Sequence, residues 1–176
     1  MPIALKLALI VTAIAAAYYD LRVRRIPNWL NLSGVILGLG LNTYFESFHG
    51  TLHALGGLSV ALCVYLPLYA LKGMGAGDVK LMAAIGAMTG AGNWFYIFIG
   101  TALIGGLASV ALVLLRKKTG QTISNLSVII TQLAKGKAPS KEDSSLSIHN
   151  EKSLKMPHGA MIAAGVCLFL ALNWNL

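Results

Sequence analysis

Most of this chain is divided into apolar stretches of about the length a bilayer demands, and most of its charges fall in the gaps between them. A helix that crosses the hydrocarbon core needs about 20 predominantly apolar residues. The stretches 2–19, 29–46, 51–71, 94–115 and 157–174 meet or approach that length, and 78–92 is a shorter, glycine-interrupted sixth. In lipid each backbone N–H and C=O must be satisfied within its own segment, so these stretches predict helices. The expectation is an all-α integral membrane protein with six transmembrane helices. Composition discriminates at one point: 11% of the residues are charged, against roughly 25% in a soluble domain. A length of 176 residues fits one domain, 1–176.

The basic residues orient the bundle. Arg22, Arg24 and Arg25 follow the first stretch, Lys72 and Lys80 flank the third-to-fourth connection, and eight more lie between 116 and 156. Thirteen of the fourteen thus fall on odd-numbered connections, and only Lys6 does not. Lys and Arg favour the cytoplasmic side, which predicts both termini outside. The first stretch has small residues near Ala15 and Ala17, as a cleaved signal would, but its positive charges follow the apolar run, so it reads as a retained helix. The net charge of +8 is therefore read as membrane topology and not as a nucleic-acid footprint. Segment 116–156 is the cytoplasmic connection between helices five and six. Within it Ile123, Leu126, Ile130 and Leu133 recur at helical spacing, as in an interfacial helix, before a Ser-, Lys- and acid-rich stretch.

The chain has two cysteines, Cys63 and Cys167, both inside apolar stretches and without CxxC spacing or a His pair. No metal site or disulfide framework is expected. Gly34-x3-Gly38 and Gly86-x3-Gly90 are small-residue pairs that let helices pack closely in lipid.

Acids within apolar segments are costly and mark function. Glu142, Asp143 and Glu151 lie in the polar connection, and Glu46 lies in a short outer loop. Asp20 ends the first stretch and Asp78 opens the fourth, so the topology puts both at one depth on the cytoplasmic side. Two carboxyl groups brought close share a proton. One can then act as a base on water while the other polarises a carbonyl. Asp78 follows Gly73-Met74-Gly75-Ala76-Gly77 and precedes Val79-Lys80. The glycines permit unusual backbone angles and close approach by another chain. No GK[ST] follows, which disfavours a phosphate loop. A plain structural role also exists, with Asp78 capping the helix it opens.

Gly75-Ala76-Gly77-Asp78, continued by Val79-Lys80-Leu81, resembles the GxGDVKL form of bacterial type IV prepilin peptidases, which are GxGD intramembrane aspartyl proteases. Asp20 ahead of Arg25-Ile26-Pro27-Asn28 is similar to that family's first-aspartate region. Lys155-Met156-Pro157-His158-Gly159 is similar to the opening of its last helix, with His158 standing where an aromatic is usual. The resemblance implies an aspartyl endopeptidase of the bacterial inner membrane, with Asp20 and Asp78 catalytic and both termini periplasmic. It removes the basic leader of a prepilin after a glycine at the cytoplasmic face and uses neither cofactor nor metal. Its partners are the precursor peptide and membrane lipid, with no nucleic acid. Bifunctional members carry an N-terminal domain with two CxxC pairs, linked to N-methylation. This chain lacks those cysteines and looks like the short, peptidase-only branch that serves Flp/tad-type pili.

Supporting or substrate-binding positions are expected at Arg25, Pro27, Asn28, Lys72, Gly75, Gly77, Lys80, Pro157 and Gly159, with Arg25, Lys72 and Lys80 put forward on their depth alone. Pro27 is expected in the first turn of helix two. Asn28 is expected to bond either loop backbone or Asp20. Gly75 and Gly77 would shape the turn before Asp78. Lys72, Lys80 or Arg25 could pair with a precursor glutamate beyond the cut, or serve only to fix topology. His158 reads as a polar group at the interface. Two competing readings are another GxGD enzyme, of preflagellin or signal-peptide type, and a small transporter using paired aspartates.

Overall fold

The computed structural model describes residues 1–71, 74–115 and 158–173. It is all-helical among them: α1 (Ile3–Val23), α2 (Asn28–Ala70), α3 (Ala76–Leu115) and α4 (His158–Asn173). The first three are long and apolar enough to cross a membrane, and α4 is a shorter apolar helix. The chain forms two compact units. The first, Met1–Gly105 with Pro157–Leu176, carries everything discussed below. The second is Gly106–Met156, and its described part is the end of α3, 106–115. Lys72, Pro157 and the expected interfacial helix at 121–134 lie outside the described residues.

α1 runs four residues past its expected end, because nothing in Leu21-Arg22-Val23 stops a helix. It closes at Arg24, whose left-handed backbone (φ 55°, ψ 29°) lets its N–H bond the carbonyl of Asp20. Asp20 therefore sits inside the last turn, not at the terminus. α2 begins directly after Pro27, whose fixed φ and missing N–H suit the position just ahead of a helix. Pro27 is thus the cap, one residue outside the expected first turn.

Both long helices fold back on themselves. In α2 the break is at Ser47 (φ 52°, ψ −133°). The hydroxyls of Thr43 and Thr51 lie 2.8 Å apart across it, although eight residues of straight helix span about 12 Å. In α3 the break is at Gly90 (φ 72°, ψ 171°). The indole N–H of Trp94 donates to the Met82 carbonyl at 3.1 Å, twelve residues back and about 18 Å along a straight helix. The break leaves carbonyls without helical partners. The side-chain amide of Asn42 takes them up, with Nδ2 at 3.0 Å from the Ala87 oxygen, 3.3 Å from that of Met88 and 2.8 Å from that of Gly38.

Glycine faces hold the arms together. A Cβ on Gly38 would lie 2.7 Å from the Ala87 backbone, and one on Gly57 would overlap the Gly86 carbonyl oxygen. Both expected small-residue pairs thus sit at close helix contacts. The core between the arms is apolar, with Leu5, Leu9, Met82, Ile85, Trp94 and Val166 almost wholly enclosed. Trp94 stacks on Phe98 (5.5 Å, 9°) and meets Tyr65 edge-on (6.0 Å). On α1 the residues Ile3, Leu7, Val11, Ile14, Tyr18 and Leu21 are large, apolar and exposed at helical spacing, opposite its buried face. A helix apolar all round, with large side chains outward, is built to face lipid.

Candidate active site

The end of the bundle that holds Asp20 is assembled from three motifs, each contributing backbone as well as side chains. The link after α1 packs Ile26, 9% exposed, into the core. A Cβ on Gly77 would stand 3.4 Å from Ile26 Cβ, so this glycine lets the two segments touch. Asn31 Nδ2 reaches the Gly77 carbonyl at 3.4 Å. Lys80 Nζ donates to Asn28 Oδ1 at 2.9 Å. The Ile26–Asn28 link and the start of α3 are thereby stitched into one seam. Among the described residues Asn28 pairs with Lys80 and not with Asp20 or loop backbone, and Lys80 sits in the second turn of α3.

Each aspartate is positioned by a glycine. The N–H of Gly159, in the first turn of α4, donates to Asp20 Oδ2 at 2.7 Å. This is one of the N–H groups a helix start leaves unsatisfied, and charge-assisted bonds of this kind are short. A Cβ at Gly159 would meet Asp20 Cβ at 2.9 Å and Oδ2 at 3.1 Å, so only glycine fits. Asp78 is the third residue of α3, and its own N–H bonds the Gly75 carbonyl at 3.1 Å. Its carboxylate turns back toward Gly75, where a Cβ would lie 3.2 Å from Oδ2. Asp78 thus does not open and cap its helix as expected: α3 starts two residues earlier, and the capping position falls to Gly75.

The two carboxylates open on one cavity of about 280 Å³, lined by Asp20, Arg24, Arg25, Ile26 and residues 75–78. Asp78 lies within electrostatic reach of both Asp20 and His158. Buried Tyr65, from the far arm of α2, lies within reach of Asp78. The structure therefore brings together Asp20, Asp78, Arg25, Gly75, Gly77 and Gly159, with Pro27, Asn28 and Lys80 in the adjoining seam. Sequence reasoning missed Arg24, Asn31 and Tyr65. Arg24 carried a signal, being one of the basic cluster after α1, but Asn31 and Tyr65 look like ordinary residues of an apolar helix. Among the described residues no cluster of His, Cys, Asp and Glu could hold a metal.

These features define a class: a helical membrane protein with two aspartates on one cavity at an end of its bundle. The sequence narrows it further. Residues 7–110, more than half of the chain, match the type IV leader peptidase family, and the protein belongs to that family. It is a membrane-embedded peptidase. The match includes both aspartates and the Asn28–Lys80 seam, while Gly159 lies beyond it. Comparison with curated proteins and with solved structures gives no match.

Proposed function

We infer that the protein is an aspartyl endopeptidase of the bacterial inner membrane that removes the basic leader from prepilins of the Flp type. One observation carries this reading: Asp20 and Asp78 line a single cavity although 58 residues separate them. A water held between them loses a proton to the ionised carboxylate and adds to the scissile carbonyl, which the protonated partner polarises. Collapse of the tetrahedral carbon breaks the C–N bond, and the departing amine takes a proton from a carboxyl group. Arg24 and Arg25 beside the cavity supply positive charge where an oxyanion develops.

The fold-backs at Ser47 and Gly90 turn α2 and α3 into four arms, which supports six spans with α1 and α4. With basic residues concentrated on alternate connections, that count favours aspartates at the cytoplasmic face and both termini in the periplasm. A precursor with a basic leader in the cytoplasm and an apolar helix in the membrane presents its junction at that depth. Aspartates at a bundle end suit hydrolysis at the interface better than transport, which favours acids near the midplane.

Co-expression with a Flp-type precursor tests the reading. Wild type is expected to shorten the precursor, and Asp20→Asn and Asp78→Asn are each expected to abolish cleavage. Normal processing by either variant at equal membrane levels defeats the assignment.

A further inference from the structure

A second and larger cavity lies on the other side of the seam. It is a groove of about 610 Å³ between the two arms of α2 and the start of α3, within the roughly 300–1,000 Å³ of small-molecule sites. It shares no lining residue with the aspartate cavity. Its polar groups collect at the aspartate end, on Asn28, Asn31 and Lys80, while Leu32, Val35, Leu58 and Leu62 form apolar walls. From Asn28 to Val35 it descends about 10 Å along the helix axis. Trp29 and Leu32 on its rim are exposed, so the groove opens toward lipid.

We propose that this groove is a binding site for one anionic phospholipid, with its phosphate on Lys80 and acyl chain along Leu32, Val35, Leu58 and Leu62. Charge and shape carry the assignment. Lys80 gives one of its three ammonium donors to Asn28 Oδ1, which holds the cation at the mouth. No carboxylate among the described residues pairs with it. A basic group at the border above an apolar slot matches a molecule anionic at one end and apolar along its length. Trp29 beside the mouth occupies the headgroup level that indoles favour. The apolar helix of a precursor is the rival occupant. The Ile26–Gly77 contact and the Asn28–Lys80 bond stand between this groove and the aspartates. A peptide seated here would have to cross that seam to be cut, whereas a lipid would not.

Native mass spectrometry of the full chain, released from detergent with phosphatidylglycerol or phosphatidylcholine of identical acyl chains, tests this. Wild type is expected to retain one phosphatidylglycerol and to discriminate against phosphatidylcholine. Lys80→Gln should weaken that retention about fivefold, the effect of one interfacial cation, and Lys80→Arg should keep it. Leu62→Trp fills the slot without touching the cation and should also displace the lipid, with an unchanged melting temperature showing that the bundle is intact. Equal retention of the two lipids overturns the proposal, as does selectivity that survives Lys80→Gln. Leu62→Trp that raises KM for the precursor while retaining the lipid assigns the groove to the substrate and overturns it as well.

Discussion

Asp20 is oriented by a group 139 residues away, the Gly159 N–H at the start of α4. A side chain at 159 collides first with Asp20 Cβ, an atom fixed to the helix backbone, so it cannot swing clear. Gly159→Ala should therefore move the carboxylate and break its bond. Losing a hydrogen bond to a charged group costs about 1.5–3 kcal/mol, so kcat should fall roughly ten- to a hundredfold. KM should change little, while the melting temperature in detergent should fall by several degrees, at about 2–4 °C per kcal/mol of that cost. Kinetics on purified enzyme with a precursor peptide decide it, and an unchanged kcat would show that the contact positions nothing. Gly75→Ala presses on the mobile end of Asp78 at 3.2 Å and should cost less. At this scale the two aspartates were legible, because acids in apolar segments stand out. Gly159 was legible only through the resemblance of its motif, since one N–H leaves no trace in composition. Asn28 was mispartnered because its bond to Lys80 closes between residues 52 apart, a distance that local spacing does not convey.

The fold-backs set the register of the arms and hence the level at which Asp78 meets Asp20. Gly90 takes a backbone conformation (φ 72°, ψ 171°) that is almost confined to glycine. A Cβ there would also overlap the His53 imidazole. Gly90→Ala should cost roughly 1–3 kcal/mol from the backbone alone. At about 2–4 °C per kcal/mol for a chain of this size, the melting temperature should drop by several degrees. Asn42→Leu should act on the same turn by stripping the Ala87 and Met88 carbonyls of their donor, at about 0.6–1.7 kcal/mol by the measured range for bonds between membrane helices. Scanning fluorimetry in one detergent compares the two, and a Gly90→Ala protein as stable as wild type would contradict the strained turn. The gap expected between 46 and 51 holds the Ser47 break, while the gap expected at 93 falls three residues past Gly90, which lies within the expected fourth stretch. The sequence did not indicate that Ser47 would carry a positive φ, because that residue turns to suit the close approach of Gly50 to Asn42.

For the molecule as a whole, the lipid-facing surface and its two aromatic ends fix how the bundle sits in the membrane. Tyr44, Phe45 and Phe48 are exposed at the Ser47 turn, and Tyr18 and Trp29 are exposed at the aspartate end. Such aromatic groups settle at the two interfaces of a bilayer. The arm 28–46 between these ends is about 28 Å long, close to the hydrocarbon thickness of about 30 Å. The Ser47 turn and the aspartates should therefore lie on opposite faces, and by the distribution of Lys and Arg the aspartate face should be the cytoplasmic one. Cysteine labelling tests this in a chain whose Cys63 and Cys167 are replaced by alanine. Tyr44→Cys, at the most exposed aromatic of the turn, should react with a membrane-impermeant maleimide in spheroplasts. Val23→Cys, exposed beside the aspartates and uncharged in the native chain, should react in inside-out vesicles and not in spheroplasts. Labelling of both from one side would break the hairpin geometry of α2. The reverse pattern would keep the hairpin and invert the protein, putting the aspartates in the periplasm, where a leader held in the cytoplasm could not reach them.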